Sequence, residues 1–108
     1  MIDSLSEDAR AVALEGLTGW HYDAVRDALH RHIVLTDFSA TFALMTRIAM
    51  LAEQADHHPE WSNVYNRLDI WLTTHDADAG AGGVSARDVA MARAINVMLD
   101  GTPAPEPR

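Results

Sequence analysis

Glu53-Gln54-Ala55-Asp56-His57-His58-Pro59-Glu60-Trp61, followed six residues later by Arg67-Leu68-Asp69-Ile70-Trp71-Leu72-Thr73-Thr74-His75, changes its periodicity at the proline and holds three of the six histidines. Before Pro59 the apolar residues recur three and four apart; from Arg67 onward they alternate. A proline disfavours the helical region for the residue before it, so a helix arriving from upstream must end here and present two adjacent imidazoles at its terminus. In the second half Leu68, Ile70 and Leu72 point one way, and Arg67, Asp69, Trp71, Thr73 and His75 point the other. That is the pattern of a strand with one buried face.

Upstream, Asp37 is placed to cap a helix from Phe38 to about Asp56, with Phe38, Phe42, Met45, Ile48 and Ala52 as its core stripe and Leu44 and Leu51 widening it. Earlier still, Leu29, Arg31, Ile33 and Leu35 alternate with His30, His32 and Val34. This predicts a strand near 28–36, paired with another near 18–23 through a turn at Asp23 to Asp27. A short helix over 5–15 is expected at the start, opened by a Ser4 and Glu7 capping box, closed by Gly16, and packed through Leu5, Ala9, Val12 and Leu17. Downstream, an extended piece near Trp61 to Tyr65 precedes the strand at Arg67 to Thr74. Asp76 to Gly83 has no packing residue larger than alanine and is expected to be mobile. Ser85 caps a last helix with Asp88 at the third position and Val84 and Val89 as a staple, running to about Leu99. The proline-rich residues 101–108 read as a disordered tail, leaving one domain over residues 1–100.

Strand pairs interspersed with helices imply a two-layer α+β domain, an antiparallel sheet with helices packed on one face. The other face, bearing Arg67, Asp69 and Trp71, is a candidate for self-association.

Composition narrows the function classes. The 108 residues carry a formal net charge of −8 and no lysine, which argues against direct nucleic-acid binding, since that affinity comes from cationic side chains on phosphates. No apolar run approaches the ~20 residues a bilayer span needs. An acidic start with no basic region before an apolar stretch argues against a secretory signal, and the absence of cysteine fits the cytoplasm. A small, weakly charged ligand suits this surface better than a highly anionic one.

The chemistry lies with the histidines. Glu53 and His57, four apart, would share a helix face and interact. Unperturbed histidine titrates near ~6.5, so two imidazoles on opposite sides of a small molecule could eliminate water, one protonating the departing hydroxyl while the other takes the neighbouring proton. The plainer reading of His57-His58 is a helix end where imidazoles cap carbonyls. A metal site using His57, His58 and His75 with Glu53 or Asp56 is the rival, although the spacing matches no His-Glu-x-x-His pattern. His30 and His32 share a strand face and could chelate, and His21 has no evident partner. Nucleophilic catalysis lacks a cysteine or a serine in a Gly-x-Ser-x-Gly context. The capping box alone accounts for Asp88. Trp20 and Trp61 read as packing residues, with Trp61 also able to wall a planar ligand.

The pattern Glu53-x3-His57-His58-Pro59-x5-Tyr65-x9-His75, followed after a gap by Asp88, resembles the pterin-4a-carbinolamine dehydratases, also known as the dimerisation cofactor of a homeodomain transcription factor. Asp37-Phe38, Met45-Thr46-Arg47, Pro59-Glu60-Trp61, Asn63-Val64-Tyr65-Asn66-Arg67 and Ser85-Ala86-Arg87-Asp88 carry the same resemblance, which extends over roughly residues 5 to 100. It implies an α+β fold with a four-stranded antiparallel sheet, helices on one face, and assembly as a homodimer or homotetramer. It also implies a hydro-lyase that dehydrates 4a-hydroxytetrahydropterin to the quinonoid dihydropterin, recycling the cofactor of aromatic amino-acid hydroxylases, without metal or organic cofactor. His57, His58 and His75 take the family's catalytic positions, and His57 and His75 are the candidates for proton transfer. Glu53, Asp56, Trp61, Thr73, Thr74, Arg87 and Asp88 fall at or beside substrate-binding positions, with Glu53 tuning His57. The loop over 76–83 is about four residues longer than the family's pattern. A partner-binding, non-catalytic dimerisation cofactor is the competing class, with an aromatic hydroxylase as a possible companion.

Overall fold

Alternation in four short segments and a 3.6-residue period in three longer ones generate the architecture. The computed structural model describes residues 2–100, so the tail expected over 101–108 lies outside the described residues. In chain order these are α1 (Glu7–Glu15), β1 (His21–Asp23), β2 (Ala28–Val34), α2 (Phe38–Ala55), β3 (Glu60–Val64), β4 (Arg67–Leu72), a 3₁₀ turn (Ala77–Gly80) and α3 (Ala86–Asp100). The strands form one sheet in the order β1-β2-β4-β3, every pair antiparallel.

Register places Leu29 opposite Leu72, Arg31 opposite Ile70 and Ile33 opposite Leu68. The inward face of the two central strands is therefore apolar apart from Arg31, whose Nη1 donates to the Thr18 carbonyl at 3.0 Å and to Asn96 Oδ1. Leu44, Ile48 and Ala52 of α2 and Ala92 and Ile95 of α3 cover that face and are all buried. Each fully buried Leu or Ile contributes about 1.5–3 kcal/mol relative to exposure, so this layer contact is the main stabilising term. Among the described residues no helix is long and apolar enough to cross a membrane.

Three details differ from the sequence reading. Helix α2 buries Thr41, Leu44, Ile48 and Ala52, while Phe38 and Phe42 stay 47% and 56% exposed. Both stripes have helical spacing and share Ile48 and Ala52, so periodicity alone did not say which flank turns toward the sheet. Helix α1 is capped by Ser6, whose Oγ accepts from the Ala9 N–H at 3.1 Å. It buries no residue completely: Val12 faces solvent, Ala13 and Leu14 pack half-buried against the core as Leu5 does before the helix, and Leu17 is the first residue fully enclosed. Ser4 is instead drawn to the loop before α3, where its N–H donates to Asp78 Oδ1 at 2.9 Å.

The sheet's outer face is more polar than expected. Trp71 stacks with His30 at 4.8 Å between ring centroids, lies under the Arg26 guanidinium at 3.7 Å, and donates its Nε1–H to Asp23 Oδ2. Asp69 Oδ1 accepts from His30 Nε2 and His32 Nδ1, each at 2.9 Å. Burial pushes the Asp69 carboxyl up, but these two hydrogen bonds together hold it below its ordinary value.

Candidate functional site

Three chain ends meet at one place: the C-terminus of α2, the segment just past β4, and the N-terminus of α3. Each is set there by local chemistry. Helix α2 starts on Asp37, whose Oδ1 accepts from the Ala40 N–H at 2.8 Å. It ends on Asp56 in the left-handed conformation (φ 49°), where the Asp56 and His57 N–H groups donate back to Glu53 and Ala52 carbonyls. That reversal turns His57 out of the helical path before Pro59 redirects the chain into β3.

Beyond β4, Thr74 and Gly83 exchange backbone hydrogen bonds at 2.9 and 3.2 Å, closing the intervening loop so that Ser85 to Asp88 return beside Thr74. The loop expected to be mobile is anchored. Asp78 accepts from Ser4, whose hydroxyl holds its carboxyl below the usual range, and the Asp78 N–H donates to the Ile2 carbonyl at 2.8 Å. The loop thus leaves Arg87 and Asp88 next to the histidines.

Asp88 is fully buried. Its Oδ2 accepts from the Ser85 N–H and the Thr74 hydroxyl, both at 2.8 Å, and its Oδ1 accepts from His57 Nε2 at 2.6 Å. With the Thr74 proton committed to Asp88, the Ser85 hydroxyl donates to Thr74 Oγ1 at 2.6 Å. A carboxylate only accepts, so the His57 proton sits on Nε2 and the lone pair on Nδ1. No hydrogen bond among the described residues engages that Nδ1. His57 is 8% exposed, and its ring forms part of a cleft wall.

His58 is exposed and turns its Nε2 to Glu53 Oε1 at 2.5 Å. Glu53 therefore serves His58, and His57 takes Asp88; the expected Glu53–His57 pair requires both residues on one helix, and His57 lies beyond its end. His75 is exposed too, with Nε2 3.8 Å from Glu60 Oε1. Each of the three imidazoles thus has a different carboxylate at its Nε2.

The cleft they share measures about 370 Å³. It is lined by Asp56 to Glu60 from the end of α2 into β3, by Thr73, His75 and Asp76 from the segment past β4, and by Arg87 of α3. Of the residues named from sequence, Asp56, His57, His58, Thr73, His75 and Arg87 line it. Thr74 and Asp88 stand behind His57, and Glu53 behind His58. Trp61 is not in the lining; it packs half-buried against the core. Sequence reasoning missed Glu60 and Asp76, although both adjoin residues it had singled out. A second pocket of about 250 Å³, walled by Leu51, Ala55, Ala90, Met91 and Ala94, shares His57 and Arg87 with the first.

With each Nε2 turned to its own carboxylate, the three histidines do not assemble as a ligand set. Among the described residues no group of three His, Cys, Asp or Glu side chains could hold a metal ion. What the arrangement offers is a cleft lined by one imidazole of fixed tautomer and two exposed imidazoles beside carboxylates, a geometry suited to moving protons.

Comparison with known proteins gives a consistent picture. The family model described as pterin 4 alpha carbinolamine dehydratase matches residues 3–98. A Rhizorhabdus wittichii protein provisionally named pterin-4-alpha-carbinolamine dehydratase is 57% identical over 99 residues, covering 92% of this chain and 98% of that one. A Rhodopseudomonas palustris protein of the same provisional name is 47% identical over 98 residues, covering 91% and 93%. The crystal structure of a transcriptional coactivator/pterin dehydratase from Brucella melitensis superposes with a TM-score of 0.82 at 41% identity, covering 89% of this chain and 98% of that one.

Proposed function

The chain belongs to the pterin 4 alpha carbinolamine dehydratase family, and from that premise we propose that it dehydrates a 4a-hydroxytetrahydropterin by histidine acid–base catalysis. The reaction breaks the C4a–O bond and the N5–H bond, forms the C4a=N5 double bond of the quinonoid dihydropterin, and releases water. One group must give a proton to the departing hydroxyl and another must take the N5 proton. No electron acceptor is involved.

The observation that carries the reading is the His57–Asp88 pair. A buried carboxylate fixed by Thr74 and Ser85 keeps the His57 proton on Nε2, which presents the Nδ1 lone pair as a base, and it stabilises the imidazolium formed when the N5 proton arrives. His75, which lines the same cleft and is open to water, is the acid for the hydroxyl and is reprotonated from solvent. His58, backed by Glu53, holds the substrate with Asp56, Thr73 and Arg87. The dehydration is one step in recycling the cofactor of an aromatic amino-acid hydroxylase, in the cytoplasm: the quinonoid dihydropterin it releases becomes the tetrahydropterin again only after a separate two-electron reduction by another enzyme.

Dehydration of 4a-hydroxytetrahydropterin followed in the ultraviolet, with wild type against His57→Ala and His75→Ala, tests this. Each variant should lose roughly a hundredfold, the usual contribution of a positioned acid or base. Wild-type protein indistinguishable from buffer would refute the proposal and favour the partner-binding class. Assembly as a homodimer or homotetramer belongs to the same proposal, supported by the exposed Phe38 and Phe42 rings, 5.7 Å apart on α2.

A further inference from the structure

Two of the cleft imidazoles are held by carboxylates from the α2 and α3 ends. His75 has no such support from either helix: its side chain is 79% exposed, and Glu60 is the carboxylate within ion-pair distance. Glu60 is itself divided. Its Oε1 faces His75 Nε2 at 3.8 Å, and its Oε2 faces Arg26 Nη1 at 3.7 Å.

Arg26 belongs to the turn between β1 and β2, outside the cleft, and is held by two contacts whose far partners are themselves tied together. Its backbone N–H donates to Asp23 Oδ1 at 3.1 Å, its guanidinium lies 3.7 Å over the Trp71 ring, and Trp71 is tied by its own Nε1–H to the other oxygen of Asp23. The same turn reaches the strand end that carries His75, because the Thr73 hydroxyl donates to the Asp27 carbonyl at 2.9 Å. One turn therefore clamps both the backbone before His75 and the side chain beside it.

Resting on the proposed reaction, we infer that Glu60 is the positioning residue of His75, and that Arg26 sets where the Glu60 carboxylate sits and how much of its charge His75 feels. Glu60 acts on His75 as a neighbouring charge at 3.8 Å, whereas Asp88 and Glu53 hydrogen-bond His57 and His58 directly. Of the other charged groups lining the cleft, Asp76 is 4.0 Å from Arg87, and among the described residues no ion pair joins Asp56 to His75. The pair is exposed, so its effect on stability is small. Its effect on the protonated ring is directional and opposite for its two members.

The test is the pH–rate profile of three variants. Glu60→Gln keeps the shape and removes the charge; it should move the limb that His75 controls to lower pH by about 0.2–0.7 unit, the scale of an exposed ion pair. Arg26→Met should move the same limb the other way, and the double variant should follow Glu60→Gln alone. High salt should shrink both shifts. Urea midpoints near wild type would accompany these results. A limb unmoved in Glu60→Gln, or both single variants moving it in one direction, would overturn the inference. Should wild type lack dehydratase activity altogether, the proposed reaction fails separately, and the pH response of the His75 ring resonances in the same three variants still decides the pairing by the same opposite signs.

Discussion

Replacing Asp88 separates its two duties. In Asp88→Ala, three donors lose their acceptor: His57 Nε2–H, the Thr74 hydroxyl and the Ser85 N–H. All lie in a region where Asp88, Thr74 and Ser85 are at most 1% exposed, so water cannot replace what is lost without entering the core. Leaving buried donors unpaired costs about 1–3 kcal/mol each, against a total stability of about 5–15 kcal/mol for a domain of this size. Asp88→Asn is the more informative change. Its amide oxygen can keep Thr74 and Ser85, leaving the NH₂ to face His57 Nε2. That nitrogen must then accept, the His57 proton moves to Nδ1, and the lone pair leaves the cleft. Stability should fall by about 1–3 kcal/mol, the cost of one poorer buried hydrogen bond, while kcat falls by about 10²–10⁴, the range for a general base held in the wrong tautomer. Urea denaturation and the dehydration assay read the two effects independently. An Asp88→Asn enzyme with wild-type kcat would refute the tautomer argument, whatever its stability.

Asp69 has its pKa depressed in the folded chain, mainly through the His30 and His32 hydrogen bonds that overcome burial. Its contribution is therefore complete above the unfolded carboxyl value, near ~4, and is lost as pH falls through the lower folded value. The difference in urea midpoint between wild type and Asp69→Asn should be full at pH 6 and shrink steadily below about pH 4; a difference that grew on acidification would contradict the assignment. Phe42→Ser, on the exposed flank of α2, should leave the monomer's secondary structure intact by circular dichroism and lower the mass measured by light scattering. An unchanged mass would show that assembly uses another surface.

Much of the fold was legible because its signals are local. The alternation at Leu68, Ile70 and Leu72, the Asp37 cap and the Ser85–Asp88 capping box each depend on residues a few positions apart, and all appear where the spacing put them. The positions of His57, His58 and His75 were legible for the same reason. Their partners were not. Glu53 and His57 have helical spacing, yet the left-handed turn at Asp56 sends His57 to Asp88, thirty-one residues away in sequence, and leaves Glu53 to His58. Asp88 was explained completely by capping, and nothing local reveals that a carboxylate with one oxygen in a cap has another to give. Arg26 and Glu60 meet only because β4 lies between β2 and β3 in the sheet. The α2 stripe was misjudged because a helix on a sheet can bury either of two adjacent flanks, and only packing into the shared core selects Leu44 over Phe42.

The account stands on a pterin ring lying between His57 and His75. A crystal structure with a bound 5,6,7,8-tetrahydropterin, whose N5 carries a hydrogen as the substrate's does, measures this directly. The expected result is the bicyclic ring in the 370 Å³ cleft, with the N5 edge within about 3.5 Å of His57 Nδ1, hydrogen-bonding or near-attack distance, and the His75 ring on its other side. A ring bound elsewhere, as in the pocket beside Arg31 and Arg93, or bound in the cleft with N5 turned away from both imidazoles, would contradict it.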